Sequence, residues 1–350
     1  MINKTTQLFA ALGLALCCAT SQAATYTYSV PTSVPEGSFF FDNFLKRFAS
    51  NAALLTDGEV KIRPIGAGVI VPPFQVYESV QNGVLKAGHS TPTYLVNQDP
   101  LNNVFAGFPG GMSGEETLTW LYEGNGLKYL QEFRRKNMGL HSLVVGVGST
   151  EVLAHSNKKI EKFEDFKGLK FRTAGAWAEV IQQVGASPTV VPPGEIYTLL
   201  QRKGVDAVEW ATPGANLTEG FHEVAPYLLT PGVHQPSFVW EFFMTEENWN
   251  AIDEKTRTKL EEAAKLTTMQ SYFHFLDSDM KAMQTYRKAG IEIIELDKSI
   301  TDDLARRGNQ LITEKLEARK ADDIDAKAIF KDYSDYMQRW SENSSYLYRH

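Results

Sequence analysis

The feature that most constrains the fold of this chain is an alternation of short apolar strands with amphipathic helices. In the first 90 residues, strands are predicted at 26–30, 60–65 and 84–89, and helices are predicted after Ser38 and over 74–82. A strand–helix–strand–helix–strand order is typical of a mostly parallel sheet with helices packed on it. The sequence therefore predicts an α/β fold.

A second strand and helix unit follows in the middle of the chain. Its predicted strands are 139–147, 169–172 and 205–210, and its predicted helices are 175–185 and 196–203. After a further apolar strand at 236–244, residues 246–289 show a helical pattern with no proline and no internal glycine. At about 1.5 Å per residue this helix would be roughly 60 Å long, which exceeds the width of one small domain. A chain of 350 residues suits two domains, so we expect this helix to cross both.

The N-terminus has the pattern of a cleavable signal peptide. Lys4 precedes an apolar run over 8–19, and Ser21-Gln22-Ala23 places small residues before a cleavage site after residue 23. The run is too short to span about 30 Å of hydrocarbon, which disfavours an uncleaved anchor. The residues before Cys17 and Cys18 are not small, which disfavours a lipoprotein. Cleavage would remove both cysteines, so we expect no disulfide and no cysteine metal ligand in an exported chain that does not span the membrane.

Composition and motifs argue against several function classes. The net charge of −7 disfavours non-specific nucleic-acid binding, which needs a basic face. The phosphate-binding, zinc-protease, nucleophile-elbow and EF-hand motifs are all missing. Gly146-Val147-Gly148 follows a strand, but Glu151 stands where a dinucleotide fingerprint needs a small residue. We therefore expect that the protein is not an enzyme. The minor alternative is a secreted α/β enzyme that uses Glu151 and Glu209 as an acid–base pair.

Four residues lie at or just beyond the ends of predicted strands: Arg172, Glu209, Trp210 and Tyr94. Ligands of open α/β sheets gather outside the carboxyl ends of strands, and an arginine there can bind a carboxylate through two parallel hydrogen bonds. A carboxylate that closes an apolar strand, such as Glu209, must be solvated, paired or bound to a cation. On pattern alone, a surface role for Arg172, core packing for Trp210 and a plain surface position for Tyr94 stay open.

Four short stretches, taken together, resemble one family: Thr56–Ile62, Val80–His89, Phe166–Arg172 and Gly204–Trp210. Their order and spacing are similar to those of the extracytoplasmic solute-binding subunits of TRAP transporters, the DctP-type family. The resemblance implies a two-lobed α/β periplasmic-binding-protein fold with a ligand cleft between the lobes. It also implies a periplasmic location, a membrane permease as partner, and an Arg172 that binds the carboxylate of the solute.

The resemblance further implies a division of the chain. After the signal peptide (1–23), lobe I is expected to comprise 24–147 plus about 232–262, and lobe II 148–231 plus about 285–350. The long helix over about 246–289 would cross both lobes. A homodimer formed through this helix stays an open alternative.

Two stretches, Glu209–Pro213 and Gly220–Tyr227, are similar to the branch that binds small 2-oxo and 2-hydroxy monocarboxylates, such as pyruvate or lactate, with a metal ion. In that branch the acid corresponding to Glu209 supplies a side-chain oxygen to the metal, and the residue corresponding to Trp210 supplies its backbone carbonyl. Two further ligand positions correspond to Glu151, where the branch usually has glutamine, and to Gln235. Such oxygen ligands suit Na⁺, Ca²⁺ or Mg²⁺, and two carboxylates favour a divalent cation.

Other assignments at this site stay open. Glu151 is alternatively a partner of Arg172 or of an amine on the solute. Tyr94, Trp177 and Trp210 are expected to contact the solute and exclude water from it. A dicarboxylate, a sugar acid or an aromatic acid would also need Arg172, and presentation of the ligand to a sensor is an alternative to transport. Glu241, an acid within an apolar strand, is expected at an outward-facing position.

Overall fold

The computed structural model describes residues 26–320 and 322–347, so the predicted signal peptide and both cysteines lie outside the described residues. The strands are Tyr26–Pro31 (β1), Val60–Ile65 (β2), Ala87–Ser90 (β3), Leu140–Gly148 (β4), Ala154–Ser156 (β5), Lys170–Arg172 (β6), Ser187–Thr189 (β7), Ala207–Val208 (β8), Tyr227–Thr230 (β9), Phe238–Thr245 (β10) and Glu292–Glu295 (β11). The helices are Arg47–Leu55 (α1), Val76–Gln81 (α2), Asn102–Ala106 (α3), Gly114–Glu123 (α4), Gly126–Met138 (α5), Ala176–Gln183 (α6), Ile196–Gln201 (α7), Pro213–Thr218 (α8), Glu246–Asn250 (α9), Glu254–Lys288 (α10), Lys298–Glu317 (α11) and Ala326–Asn343 (α12).

The first lobe is built on β1 to β4 and β10. β1 and β2 are parallel, and a bridge from Thr32 to His89 joins β1 to β3. β10 lies between β3 and β4 and is antiparallel to both. The expectation of a mostly parallel sheet is therefore wrong here, because β10 enters this lobe from the second one and runs against its two neighbours.

The second lobe is built on a six-stranded mixed sheet in the order β11-β9-β5-β8-β6-β7. Its neighbouring strands β6 and β8 are parallel, with Arg172 paired in register with Val208. The carboxyl ends of the two strands therefore meet at one edge of the sheet. This places Arg172, the last residue of β6, beside Glu209, which follows β8 directly.

The chain crosses between the two lobes at several places. The segments 149–153 and 231–237 connect strands of different sheets. α10 also crosses: the ring of Phe275 stacks on Phe44 of the first lobe at 5.1 Å, and Tyr286 Oη donates a hydrogen bond of 2.8 Å to the carbonyl of Pro213 in the second. The predicted crossing helix is confirmed.

The predicted start of that helix at residue 246 is wrong. A separate short helix, α9, comes first, and α10 begins at Glu254. The side chain of Asp253 accepts a hydrogen bond of 3.0 Å from the backbone N–H of Thr256 and so caps a new helix. A capping aspartate has non-helical backbone angles, so it breaks the helical run that hydrophobic spacing alone suggests.

The C-terminal helices do not all belong to the second lobe. The first half of α11 packs into the second core through Ile300 and Leu304, whereas α12 packs into the first. Tyr333 Oη accepts a hydrogen bond of 2.6 Å from the backbone N–H of Met112. The assignment of all of 285–350 to lobe II is therefore wrong for α12, because the apolar face of this helix is buried against α4 and its surroundings.

Two sequence features have structural roles in the first lobe. Glu241 does not face outward, as expected, but is fully buried with the guanidinium of Arg134, because β10 is a central strand with both faces covered. The glycines of Gly146-Val147-Gly148 leave room for aromatic rings, since a Cβ on Gly148 would lie 1.9 Å from the ring of Phe238. Within residues 26–320 and 322–347, no helix has both the length and the apolar character that a membrane crossing requires.

Candidate functional site

Arg172 lies at the bottom of the cleft between the lobes, with 1% of its surface exposed. Its Nη1 donates a hydrogen bond of 2.6 Å to the backbone carbonyl of Glu209, and its Nη2 donates one of 3.1 Å to the carbonyl of Val191. Its Nε is buried and has no acceptor in the described part of the chain. The guanidinium is therefore held in place by backbone oxygens while part of its donor set stays unused.

Glu209 is fixed beside it by the sheet. Its backbone N–H donates to the carbonyl of Arg172 at 3.0 Å, which is the continuation of the β6–β8 pairing. Its carboxylate Oε2 lies 3.8 Å from Arg172 Nη1, too far for a hydrogen bond, and has no hydrogen-bond partner among the described residues. Burial raises the pKa of this carboxyl, against the opposing effect of the Arg172 charge.

Glu151 approaches from the crossing segment 149–153. Its backbone N–H donates to the carbonyl of Gln235 at 3.2 Å, which ties the two crossing segments together. Gly232 permits this contact, since a Cβ at that position would lie 1.9 Å from the carbonyl oxygen of Glu151. Burial and the neighbouring charge of Glu209 raise the pKa of Glu151 well above its ordinary value.

His234 is a site residue that the sequence analysis missed. Its Nε2 lies 3.1 Å from Glu151 Oε2, and burial lowers the pKa of the imidazole to about 3. A neutral histidine can still donate from Nε2 to an ionised carboxylate. Glu151, Glu209 and His234 each have one atom that could ligate a metal ion, and these three atoms lie within 4.8 Å of one another. A signal was present in the sequence, because His234 directly precedes Gln235 after the Pro231-Gly232 turn.

Gln235 is oriented by its own amide nitrogen. Its Nε2 donates a hydrogen bond of 2.8 Å to the carbonyl of Ala106. The amide oxygen is therefore the atom left to face the site, and it accepts no hydrogen bond from the described residues. An oxygen ligand at this position is consistent with the role that the resemblance implies.

Arg172, Glu209, Glu151 and Gln235 line a small, partly open cavity, in which about 30 Å³ is open to the centre of a water molecule. Aromatic rings from both lobes form its walls, with the ring of Phe40 5.3 Å from Trp210 and 5.2 Å from Trp240. The lining residues are Phe40, Thr91, Thr93, Tyr94, Glu151, Arg172, Ala174, Glu209, Trp210, Gln235, Phe238 and Trp240.

The aromatic residues predicted at the site are placed differently from one another. Tyr94 and Trp210 line the cavity, and burial raises the pKa of Tyr94. Trp177 is not among the lining residues: it lies in the core of the second lobe, and its ring centroid is 5.5 Å from that of His234. The predicted contact of Trp177 with the solute therefore stays a prediction, and in this structure the side chain is buried beside His234 rather than in the cavity wall.

The charges in the cavity do not balance among themselves. One guanidinium faces two carboxylates, and the carboxylates repel each other in surroundings of low polarity. Glu209 Oε2 is a buried acceptor without a donor in the described part of the chain, which costs free energy unless another group binds it. A cation beside Glu151 and Glu209, together with an anion on Arg172, would satisfy both deficits.

Comparison with known proteins assigns the chain to a family. The family described as "Bacterial extracellular solute-binding protein, family 7" (DctP) matches residues 31–318. A curated relative, the monocarboxylate 2-oxoacid-binding periplasmic protein of Nostoc sp., is 30% identical over 227 residues. That alignment covers 64% of this chain and 62% of the relative, so it spans less than two thirds of the relative's length.

Solved structures share the fold. A TRAP periplasmic solute-binding protein from Colwellia psychrerythraea with bound calcium and pyruvate is 25% identical, with a TM-score of 0.84 over 92% of this chain and 98% of that one. A counterpart from Pseudoalteromonas atlantica with bound sodium and pyruvate is 25% identical, with a TM-score of 0.82 over the same shares. A TRAP transporter protein from Bordetella bronchiseptica, 24% identical with a TM-score of 0.86 over 93% and 96%, shares the fold. The predicted two-lobed α/β fold is confirmed, and the chain belongs to the DctP family of bacterial extracellular solute-binding proteins.

Proposed function

We propose that this protein captures a small 2-oxo or 2-hydroxy monocarboxylate, such as pyruvate or lactate, and delivers it to a TRAP-type membrane permease. The observation that carries the proposal is the buried guanidinium of Arg172, which lines a small cavity and whose Nε–H has no acceptor among the described residues. The similar proteins support the same solute class: the Nostoc relative is named as a 2-oxoacid-binding protein, and the Colwellia and Pseudoalteromonas structures contain pyruvate.

A carboxylate suits the donors that Arg172 has left. A guanidinium carries five N–H donors, and two of them are used on backbone carbonyls. The remaining donors include Nε–H, which lies on an edge of the guanidinium that matches the two oxygens of a carboxylate. In a cavity that excludes water, this charge-assisted contact is stronger than it would be at the surface.

The size of the cavity favours a short solute. A volume of 30 Å³ on this measure corresponds to roughly two or three water molecules. Rings of the two lobes already contact each other in these walls, with Phe40 of the first lobe 5.3 Å from Trp210 of the second, so enlarging the space requires the lobes to separate. A three-carbon acid therefore fits better than a dicarboxylate, a sugar acid or an aromatic acid.

A cation completes the proposed site. Glu151, Glu209 and Gln235 present oxygen atoms, which suit Ca²⁺ or Na⁺ better than zinc. We propose that these three residues, with the backbone carbonyl of Trp210, hold the ion, and that His234 orients Glu151 through the 3.1 Å contact. The ion would supply positive charge that attracts the solute's oxygens. With Ca²⁺, the charges of Arg172, both carboxylates and one monocarboxylate cancel, which favours the divalent ion.

Binding measurements test the solute class. The purified protein, treated with a chelator and dialysed, is titrated by calorimetry with pyruvate, lactate, succinate, gluconate and benzoate, each with and without Ca²⁺. We expect pyruvate or lactate to bind most tightly, and more tightly with Ca²⁺ than without it. Arg306→Ala, which removes an exposed arginine, is the matched control for later arginine variants and should bind like the unaltered protein. Preference for a dicarboxylate or an aromatic acid would contradict the proposed solute.

Delivery to a permease needs a separate test. Deletion of the gene in its host is expected to abolish high-affinity uptake of the labelled solute identified by calorimetry, and uptake should return when the gene is restored. Normal uptake with loss of a transcriptional response to the solute would instead favour presentation to a sensor.

A further inference from the structure

A second cavity lies in the cleft, next to the one that Arg172 lines. It has about 290 Å³ open to the centre of a water molecule, against about 30 Å³ beside Arg172. We call it the vestibule. Phe74 and Val96 of the first lobe and Ala178 and Val190 of the second are among its lining residues. Phe74 and Val190 are 37% and 53% exposed, so the vestibule communicates with solvent.

Tyr94 stands between the two cavities. It lines both of them, as do its neighbour Thr93 and Ala174 of the second lobe. On the vestibule side its ring centroid is 4.7 Å from that of Phe74. On the other side the hydroxyl is near the charges of the candidate site: burial raises its pKa, and the charge of Arg172 opposes this increase. The side chain therefore reaches from the vestibule to the charged end of the cavity.

The backbone on both sides of this partition is anchored. Tyr94 lies in a short 3₁₀ turn over Pro92–Leu95, and the carbonyl of the buried Leu95 accepts a hydrogen bond of 3.1 Å from the side chain of Asn102. From the second lobe, Gly175 packs closely against Thr93, since a Cβ on this glycine would lie 3.1 Å from the methyl group of Thr93. The two lobes therefore meet at the partition, and the Tyr94 ring is its largest side chain.

The vestibule suits an uncharged chain. Phe74, Val96 and Val190 present carbon atoms to it. Glu179 is the one charged side chain in its lining among the described residues, and its carboxylate is paired with Lys315 at 2.8 Å. A second carboxylate on the solute would therefore meet no free cation there, whereas an alkyl chain would leave water for apolar surroundings.

We propose that Tyr94 sets the chain length of the solute: its ring ends the cavity behind a three-carbon acid and keeps the alkyl chain of a longer 2-oxo acid out of the vestibule. The inference rests on the proposed function, since it places the carboxylate of the solute on Arg172. Tyr94 is then a specificity-determining residue, and its removal joins the two cavities. Each methylene group that leaves water contributes roughly fourfold in affinity, so a longer acid gains from the joined space.

Calorimetry with 2-oxo acids of increasing length tests this limit. Pyruvate, 2-oxobutyrate, 2-oxovalerate and 2-oxohexanoate are titrated, with Ca²⁺ present, into the unaltered protein and into Tyr94→Ala. In the unaltered protein we expect pyruvate to bind about tenfold or more tightly than 2-oxohexanoate. In Tyr94→Ala the ratio of these two Kd values should shift about tenfold or more in favour of 2-oxohexanoate, because its chain enters the vestibule. 2-Oxoglutarate, which has a carboxylate in place of the methyl group of 2-oxovalerate, should gain less than about threefold.

Three further variants complete the test. Tyr94→Phe keeps the ring and should keep the preference for pyruvate. Tyr94→Leu keeps apolar contact with Phe74 but lacks the ring, so it should shift the preference in the same direction as Tyr94→Ala and serves if the alanine variant does not fold. Tyr346→Ala is the matched control, because Tyr346 is 82% exposed and lines neither cavity; its preference should be unaltered. Thermal unfolding identifies the variants that are folded.

The outcomes separate this inference from the proposed function. An unaltered protein that binds no 2-oxo acid would overturn the proposed function and this inference with it. Tight pyruvate binding with an unchanged length preference in folded Tyr94→Ala or Tyr94→Leu would overturn this inference alone. So would an unaltered protein that binds 2-oxohexanoate as tightly as pyruvate, or a Tyr94→Phe protein that loses the preference.

Discussion

Arg134 in the first lobe and Arg172 in the second are both buried, yet they use their donors in opposite ways. Arg134 makes two hydrogen bonds of 2.8 and 2.7 Å to the carboxylate of Glu241, and a third of 2.7 Å to Asn102. Glu241 also accepts a hydrogen bond from Ser142. This cluster satisfies its charges and its donors within the chain.

Arg172 makes no such pair. It donates to two backbone carbonyls and lies 3.8 Å from the nearest carboxylate oxygen of Glu209, and its Nε has no acceptor within residues 26–320 and 322–347. A buried charge whose partner is too far for a hydrogen bond is costly in the empty protein. The comparison teaches that burial alone does not identify a binding arginine; the unused donors and the adjoining cavity do.

The largest expected effect on binding follows from removing Arg172. We predict that Arg172→Ala weakens solute binding by about 3–5 kcal/mol, or roughly 10²–10³-fold or more in Kd. The loss comes from the charge-assisted contact with the carboxylate. Calorimetry with the preferred solute measures this loss. Arg172→Lys keeps the charge but not the planar fork, so its Kd should lie between those of the unaltered protein and of Arg172→Ala. An unchanged Kd in Arg172→Ala would remove this residue from the site.

Removing Arg134 should have its effect on stability instead. We predict that Arg134→Ala lowers the free energy of unfolding by about 3–5 kcal/mol, because it leaves the Glu241 charge buried and unpaired. Urea unfolding measures this change. In the protein that remains folded, the Kd for the solute should stay within about threefold of the original. Weaker binding with intact stability would reverse the roles assigned to the two arginines.

The cation should stabilise the protein through the carboxylates beside Arg172, and it should not act on the Arg134–Glu241 cluster of the first lobe. At 100 times its Kd, Ca²⁺ is predicted to raise the free energy of unfolding by about 2.7 kcal/mol. Thermal unfolding of chelator-treated protein, with and without Ca²⁺, measures the effect. Glu209→Gln should abolish most of the response, whereas the surface variant Glu314→Gln should retain it. An equal response in both variants would place the ion elsewhere.

The smallest expected effect is a pH dependence. Burial raises the pKa of Glu151 and of Glu209 in the folded protein, so these groups destabilise the empty protein as pH rises through their raised pKa values. A cation binds the ionised form of these carboxyls. The affinity for the cation should therefore increase with pH, whereas the stability of the empty protein decreases. Ca²⁺ titrations between pH 5 and 8 test this sign. Affinity that falls as pH rises would contradict it.

Much of the second lobe's site was predictable from local sequence. Arg172 and Glu209 end predicted strands, and a parallel pair brings such ends together. The positions of Glu151 and Gln235 followed from the resemblance to the family, because they lie on two crossing segments that no local pattern brings together.

The rest depended on long-range contacts. Arg134 and Glu241 are 107 positions apart, and neither the helix nor the strand pattern indicates that they pair. His234 was missed because a lone histidine in a turn resembles many others until Glu151 lies beside it. The start of α10 at Asp253 had a local sign in its capping side chain, but the apolar spacing of 246–289 obscured it.

A crystal structure of the protein grown with pyruvate and Ca²⁺ tests the central claim most directly. We predict that the carboxylate of pyruvate contacts the guanidinium of Arg172, with Nε now bonded, and that one ion contacts oxygen atoms of both Glu151 and Glu209. Pyruvate bound at a different place, or a filled cavity in which Arg172 bonds only its own backbone carbonyls, would contradict the account.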